Sequence, residues 1–239
     1  MTINKKIEIR REQVLKVAEE IFAQKGFHET TISDVAKKAG FSEGTIYEYF
    51  TSKEDLLFSI PGETTRAGAK ELERHLEYAR GATNKIRSII YHFLSFYQNN
   101  RAYASVAMLI LKPNRRFLKT KDYQVVREGY RMILKVIEEG IASGEFIPEL
   151  NPYLARSVIL GTIEHMVTGL VLLGRPKNLL ELVDPLTDIV LRGIQNKEVK
   201  QWDIAITLVP EEGKKVSQTL ASARKNMNSP IKHKEQKLH

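Results

Sequence analysis

The sequence predicts an all-α protein, with a small three-helix head of helix-turn-helix layout on a larger helical body. Three observations carry that expectation. Apolar residues recur at three- and four-residue spacing from Val14 to Ile194. Glycine, proline and a pair of asparagines punctuate them at intervals suited to helices. No stretch alternates with period two, and no internal repeat is present.

The elements follow in order. In the first helix Val14, Leu15, Ala18, Ile21 and Phe22 make one apolar stripe. Lys25 and a C′ glycine, Gly26, end it, and Phe27 packs back. The second helix starts at Thr31, with Asp34 three residues on as a variant capping box. Ile32, Val35, Ala36 and Ala39 complete its apolar stripe, and Gly40 ends it. Ser42 caps a third helix whose inward side is Ile46 and Phe50. Ser52 caps a fourth, with Asp55 at N3. Pro61-Gly62 is expected to interrupt or kink that helix, because proline removes a backbone donor and clashes with the preceding turn. Longer segments follow at 63–80, 83–99, 102–111, 117–143, 152–174 and 178–196. Gly81, Asn99-Asn100, Pro113-Asn114, Gly144 with Pro148, and Pro176 separate them. After Asn196 the apolar period fades. Trp202, Ile204, Ile206, Leu208 and Val209 form one apolar island, and the Lys- and Ser-rich remainder is expected to be mobile.

Composition excludes several classes. The chain has 239 residues and is 42% hydrophobic, enough for one large or two small domains with a real core. It has no cysteine, so disulfide frameworks, thiolate zinc sites and Cys nucleophiles are excluded, in keeping with a reducing cytoplasm. The opening MTINKKIEIRREQ lacks an apolar h-region, so no secretory leader is expected. Ser157–Gly174 has the length of a membrane span, but Glu164 and His165 sit in its middle, where a charge costs at least about 2.5 kcal/mol in lipid. A helix packed on protein is the better reading, and no membrane partner is expected. Glu164 and His165 are neighbours that do not face each other along a helix, so they make no metal pair. With no HExxH, G-x-S-x-G or P-loop spacing, no metal, cofactor or catalytic residue is expected.

The net charge of +8 suits a polyanionic partner, yet it is not concentrated in the head. Residues 1–60 hold nine Lys/Arg against ten Asp/Glu, and residues 197–239 hold nine against five. Nucleic-acid binding by the head must therefore rest on geometry. The run TISDVAKKAGFSEGTIYEYF supplies it: two short helices around a glycine turn, braced by a third. Such a pair offers the first turns of its second helix to a DNA major groove. Ile46 and Phe50 point inward, which leaves Glu43, Gly44, Thr45, Tyr47 and Glu48 outside or at the flank. Gly44 permits close backbone approach, and Thr45 can meet a base or a phosphate. Tyr47 and Tyr49 carry phenols suited to phosphate oxygens; the alternative is that they are half-buried core aromatics. Lys53 places a cation at a helix start, and Thr31 and Ser42 complete the candidate contacts. Glu43 and Glu48 oppose phosphate unless one accepts from a cytosine amino group or faces away.

This motif resembles that of the TetR family of bacterial transcription repressors. The resemblance lies in VLKVAEEIFAQKGF followed by TISDVAKKAGFSEGTIYEYFTSKEDLL, with Ala36-x-x-x-Gly40, Gly44-Thr45-x-Tyr47-x-Tyr49-Phe50 and Ser52-Lys53-Glu54. It implies an operator-binding head and an all-helical body that binds a ligand and dimerises. More loosely, GYRMILKVIEEGIASGEFIPELNPYLARSVILGTIEH is similar to the body of fatty-acid-responsive members, whose effector is a long-chain acyl-CoA. The expected organisation is a DNA-binding head over 1–55 with its motif at 31–50, a ligand-binding and dimerisation body over 56–196, and an extension over 197–239.

In the body, Phe93, Phe96, Tyr97, Tyr103 and Tyr130 are candidates to line an apolar effector cavity, against the plain alternative of core packing. Lys112, Arg115, Arg116, Lys119 and Lys121 flank the Pro113 break. They are either a solvated basic turn or, through Arg115 and Arg116, a seat for the phosphates of a CoA head group. His165 is a candidate for the pocket wall or the dimer seam. A homodimer is expected through 152–174 and 178–196, on Leu154, Val158, Leu160, Met166, Leu170 and Leu173, then Leu179, Leu182, Val183, Leu186, Ile189, Val190 and Ile194. Three readings stand: a dimeric repressor in the cytoplasm that leaves a palindromic double-stranded DNA operator when it binds a small hydrophobic effector, an architectural DNA binder without an effector, and a helical enzyme or binding module with a vestigial head.

Overall fold

A computed structural model describes residues 3–196; the apolar island and the Lys-rich extension lie outside the described residues. Among the described residues nine α-helices run in order: α1 Ile3–Lys25, α2 Ile32–Ala39, α3 Glu43–Tyr49, α4 Lys53–Tyr78, α5 Ala82–Asn99, α6 Arg101–Val106, α7 Lys121–Ala142, α8 Pro152–Leu173 and α9 Val183–Ile194. A π-helical turn, Ala107–Leu111, extends α6, and short 3-10 turns lie at Phe117–Lys119 and Leu179–Leu182. Among the described residues the only β-type pairing is a single bridge between Phe146 and Gln195.

The head is built as its caps and stripes dictate. Thr31 Oγ1 accepts from the Asp34 amide and the Asp34 carboxylate accepts from the Thr31 amide, which closes the capping box. Gly40, at φ 74°, turns the chain out of α2. The Ser42 and Ser52 hydroxyls accept from the amides three residues on. Val14, Ala18 and Phe22 of α1, Val35 and Ala36 of α2, Ile46 of α3 and Phe50 are buried together, in an apolar cluster that continues into the body. Arg11 of α1 lies 5.2 Å over the Phe50 ring.

Against expectation, α4 runs unbroken through Pro61 to Tyr78. The local cost of an internal proline, about 3 kcal/mol, is outweighed by burial of Leu56, Leu57, Phe58 and Ile60 just before it. Pro61 and Gly62 are themselves buried. A Cβ on Gly62 would stand 2.5 Å from Asp122 Oδ1 at the start of α7, so the glycine lets α7 approach. One helix therefore belongs to both head and body.

In the body α4 packs on α5 and α7, and α8 packs on α5, α6 and α7. Its far end is tied by the Glu145 carboxylate, which accepts from the Ala82 and Thr83 amides at 2.8 and 3.0 Å and so caps α5. Those donors hold the carboxyl below its ordinary pKa. The Asn196 amide donates to the Glu145 carbonyl, which brings the end of α9 to the same point. Phe146 is fully buried there, in the space a side chain at Gly140 would take.

The apolar residues expected to make a dimer face divide in two. Leu160, Leu170, Leu179, Val183, Leu186, Val190 and Ile194 are buried within the protomer, where they pack α8 and α9 against the body, so they cannot serve an interface. Leu154, Val158, Leu173 and Ile189 are exposed, the last two at 77% and 70%. α8 is long and apolar enough to cross a membrane by length and composition, yet one side of it is core and the other carries these exposed residues.

We expect Gly140→Ala to destabilise the fold by about 1–3 kcal/mol, because its Cβ would stand 2.2 Å from the Phe146 ring and 2.8 Å from the Ala82 Cβ. A thermal melt beside Gly129→Ala, whose Cβ meets nothing within 4 Å, checks this; equal midpoints would contradict it.

Candidate functional site

Two sites are built on the same helix. At the head, α3 is seven residues long and buries Ile46, which leaves its other positions outside. Glu43, Gly44, Tyr47 and Glu48 are exposed, Tyr47 at 53%. A Cβ on Gly44 would meet only the Ser42 hydroxyl at 3.7 Å, so a second molecule can approach its backbone. Ser42 and Thr45 share a hydroxyl–hydroxyl hydrogen bond of 3.0 Å, which fixes both beside the helix start. Tyr49 is half-buried, edge-on to Phe50 at 6.4 Å, and joins the head core. Thr31 stands at the exposed start of α2 with its hydroxyl engaged in the capping box.

Lys53, expected as a phosphate seat, has its ammonium engaged within the chain. Its ammonium donates to the carbonyls of Phe27 and Thr30 at 2.9 and 2.8 Å and lies 4.4 Å over the Phe27 ring. It stitches the α1–α2 loop to the start of α4. Carbonyls in such a loop lie outside any helix ladder, and the cation satisfies them.

The second site lies in the body between α4, α5, α7 and α8. An inner chamber of about 40 Å³ is lined by Gly68, His92, Phe93, Phe96, Tyr97, Tyr103 and Tyr130, among others. A larger chamber of about 300 Å³ shares Tyr97, Tyr103, Val126 and Tyr130 with it and adds Pro61, Leu111, Lys112, Phe117, Tyr123 and Glu164. An outer cleft of about 570 Å³ shares Tyr123, Tyr130 and Glu164 with the larger chamber. Its other walls include Arg127, Arg131 and Arg156. Neighbouring cavities thus share walls, and the outermost of them is lined by cations. The ring pairs Phe96–Tyr103 at 5.5 Å and Tyr97–Tyr103 at 6.2 Å hold the inner walls in place. Burial pushes the Tyr103 phenol up to about 12 and those of Tyr97 and Tyr130 well above their ordinary range, so all three stay neutral.

The five aromatic candidates of the sequence therefore converge on one chamber. Arg115, Arg116 and His165 do not reach it. Arg115 is exposed, His165 lies on the outer side of α8, and Arg116 pairs with Glu54 in the first turn of α4. Of the basic run, Arg116 after the proline is tied to the head, while Lys112 before it stays on the wall of the larger chamber. Sequence reasoning missed the cations that do line the mouth. Arg127 and Arg131, at i and i+4 on α7, were a readable signal; Arg156 comes to them only through packing of α8.

The cavity's walls also grip the head. Tyr103 shares a 3.0 Å hydrogen bond with Thr65 of α4. Its neighbour Thr64 donates to Glu19 of α1, whose carboxyl burial pushes up to about 7. Phe117, in the larger chamber, packs on Phe58 of α4 at 5.7 Å.

We expect Lys53→Ala to lower the melting temperature by several degrees, because two carbonyls lose their donor. A melt at two salt concentrations reads it; an unchanged midpoint would return Lys53 to the role of a free surface cation.

Comparison with known proteins agrees with this geometry. Residues 14–60 match the bacterial regulatory proteins of the tetR family, and residues 67–193 match the C-terminal region of the YsiA-like protein. The fatty acid metabolism regulator protein of Bacillus subtilis is 33% identical over 186 residues, which cover 77% of this chain and 95% of that protein. The crystal structure of the transcriptional regulator FadR from Bacillus subtilis in complex with stearoyl-CoA is 30% identical, with a TM-score of 0.72, over 77% of this chain and 99% of that one. The fatty acid degradation regulator FadR from Bacillus halodurans superposes with a TM-score of 0.72 at 28% identity, over 79% and 97% of the two chains. With its head, its body and its relatives in agreement, the chain belongs to the TetR family of transcriptional regulators.

Proposed function

We propose that this regulator is a homodimeric repressor that holds a palindromic operator with α3 and releases it when a long-chain acyl-CoA enters the body. The carrying observation is the set of cavities: aromatic-lined chambers that share walls with an arginine-lined cleft suit a molecule with a hydrocarbon chain at one end and phosphates at the other. Relatives whose names refer to fatty acid regulation and to stearoyl-CoA support the reading. In it the chain lies among Phe96, Tyr97, Tyr103 and Tyr130, and the phosphates meet Arg127, Arg131 and Arg156. Arg115, Arg116 and His165 take no part in holding it.

At the head, Tyr47 offers its phenol to a phosphate, Gly44 admits the DNA backbone, and Ser42 and Thr45 stand at the groove edge. Thr31 and Tyr49 support the placement from the flanks. Two heads on one dyad read inverted half-sites, with Leu154, Val158, Leu173 and Ile189 in the seam between protomers. The head is nearly neutral, so the operator must be read by fit more than by bulk charge.

Both ends are tested with an operator selected by the protein from random-sequence DNA and followed by fluorescence anisotropy. Saturating palmitoyl-CoA should weaken the complex by about 5–150-fold, the ordinary range of such coupling. Combined Arg127→Gln, Arg131→Gln and Arg156→Gln should demand more palmitoyl-CoA for release while operator affinity without ligand stays put. Tyr47→Ala should weaken the operator about tenfold and leave the salt slope nearly unchanged, since the phenol carries no charge. Operator binding unmoved by saturating palmitoyl-CoA would remove the acyl-CoA effector.

A further inference from the structure

One ion pair stands inside the cavity. Lys112, which closes the π-helical turn, pairs with Glu164 from the middle of α8. Each side chain is 30% exposed, and both line the larger chamber. Glu164 also lines the arginine cleft, so it stands on a wall that the larger chamber and the cleft share. The Lys112 ammonium lies 5.9 Å from the Tyr130 ring centroid, which keeps it on the chamber wall. Stability is a poor reason for such a pair, because the desolvation of two partly buried charges offsets much of their attraction.

The pair has a chemical consequence for what can sit beside it. An acyl chain whose far end fills the inner chamber passes its carbonyl carbon near Lys112 and Glu164 on the way to the arginines. In a thioester that carbon carries no charge. In a free fatty acid it carries a carboxylate, which must share one ammonium with Glu164. Two carboxylates a few ångströms apart, partly shielded from water, repel strongly. An acid that moves on to Arg127, Arg131 or Arg156 stays in the cleft that Glu164 also lines. We propose that Glu164 is a specificity-determining residue: held by Lys112, it excludes free long-chain carboxylates from the cavity and admits neutral acyl thioesters.

This inference rests on the acyl-CoA reading, and one experiment separates the two. Operator release from the parent protein is titrated with palmitoyl-CoA and with palmitate, below the micelle concentration of each. The parent should need at least about tenfold more palmitate than palmitoyl-CoA. Glu164→Gln keeps the shape, removes the charge and leaves the Lys112 ammonium to take the fatty carboxylate. It should respond to palmitate at concentrations at least about tenfold lower than the parent requires, with its palmitoyl-CoA response within about threefold. Lys112→Met added to Glu164→Gln should abolish that gain, because the cation that would hold the carboxylate is gone. If Glu164→Gln fails to bind the operator, Glu164→Met makes the same test of exclusion with an apolar chain in the same space. A parent released equally by palmitate and palmitoyl-CoA, or a variant no more sensitive to palmitate than the parent, overturns the role of Glu164. A parent that ignores palmitoyl-CoA overturns the acyl-CoA reading itself.

Discussion

Helix α4 belongs to the head at one end and to the cavity at the other, and the rest of the structure depends on that continuity. Its first turn is capped by Ser52 and held by Arg116 through Glu54. Its middle packs Phe58 on Phe117 and leaves room at Gly62 for Asp122. Further along, Thr65 bonds Tyr103 and Gly68 lies against Phe96. The segment from Lys112 to Tyr123 lines the larger chamber on one side and touches α4 on the other. In the proposed switch, a ligand that changes the spacing of the chamber walls acts on a helix that continues into the head. A break at Pro61 would have uncoupled the two.

The magnitudes are consistent with a switch. A ligand shifts an equilibrium only by its differential affinity for the two states, and useful coupling is about 1–3 kcal/mol. The head–body contacts are individually weak. Exposed pairs such as Glu54–Arg116 contribute about 0–1 kcal/mol, and a hydroxyl bond such as Thr65–Tyr103 about 1 kcal/mol. Two or three of them, rearranged together, span the needed range while the buried core stays intact. The joint is thus soft enough to move, and the buried cluster of the head and the Glu145 tie at the far end keep each end rigid.

Much of this was legible in the sequence, and the misses share one cause. Caps and stripes are local, so Thr31, Asp34, Gly40, Ser42 and Ser52 placed the head helices before any tertiary information. Pro61 misled because its local penalty was outweighed by side chains brought from elsewhere in the fold. Lys53 looked like a cation at a helix start, but the loop it closes lies more than twenty residues away in sequence. The cavity aromatics were legible as a cluster because several share helix faces. Of the cations at the mouth, Arg127 and Arg131 were legible as an i, i+4 pair and were overlooked, while Arg156 was not, because it meets them only once α8 packs on α7. Arg115 and Arg116 stood nearest the sequence break and drew attention for that reason, while the chain turned them the other way. The dimer face was overcounted for the same reason: periodicity shows that α8 and α9 are apolar, and only packing shows which residues the protomer already uses.

The central claim is that effector binding in the body reorients heads that are themselves unchanged. The chain has no cysteine, so Glu48→Cys, on the exposed side of α3, places one spin label in each protomer of the dimer. Dipolar spectroscopy then reads the distance between the two recognition helices. With the operator bound, the account predicts a narrow distribution set by one helical turn of DNA, about 35 Å between half-sites. Palmitoyl-CoA should move the distribution of the free dimer away from that value by several ångströms. Release of the operator by palmitoyl-CoA with no change in the label-to-label distance would contradict it.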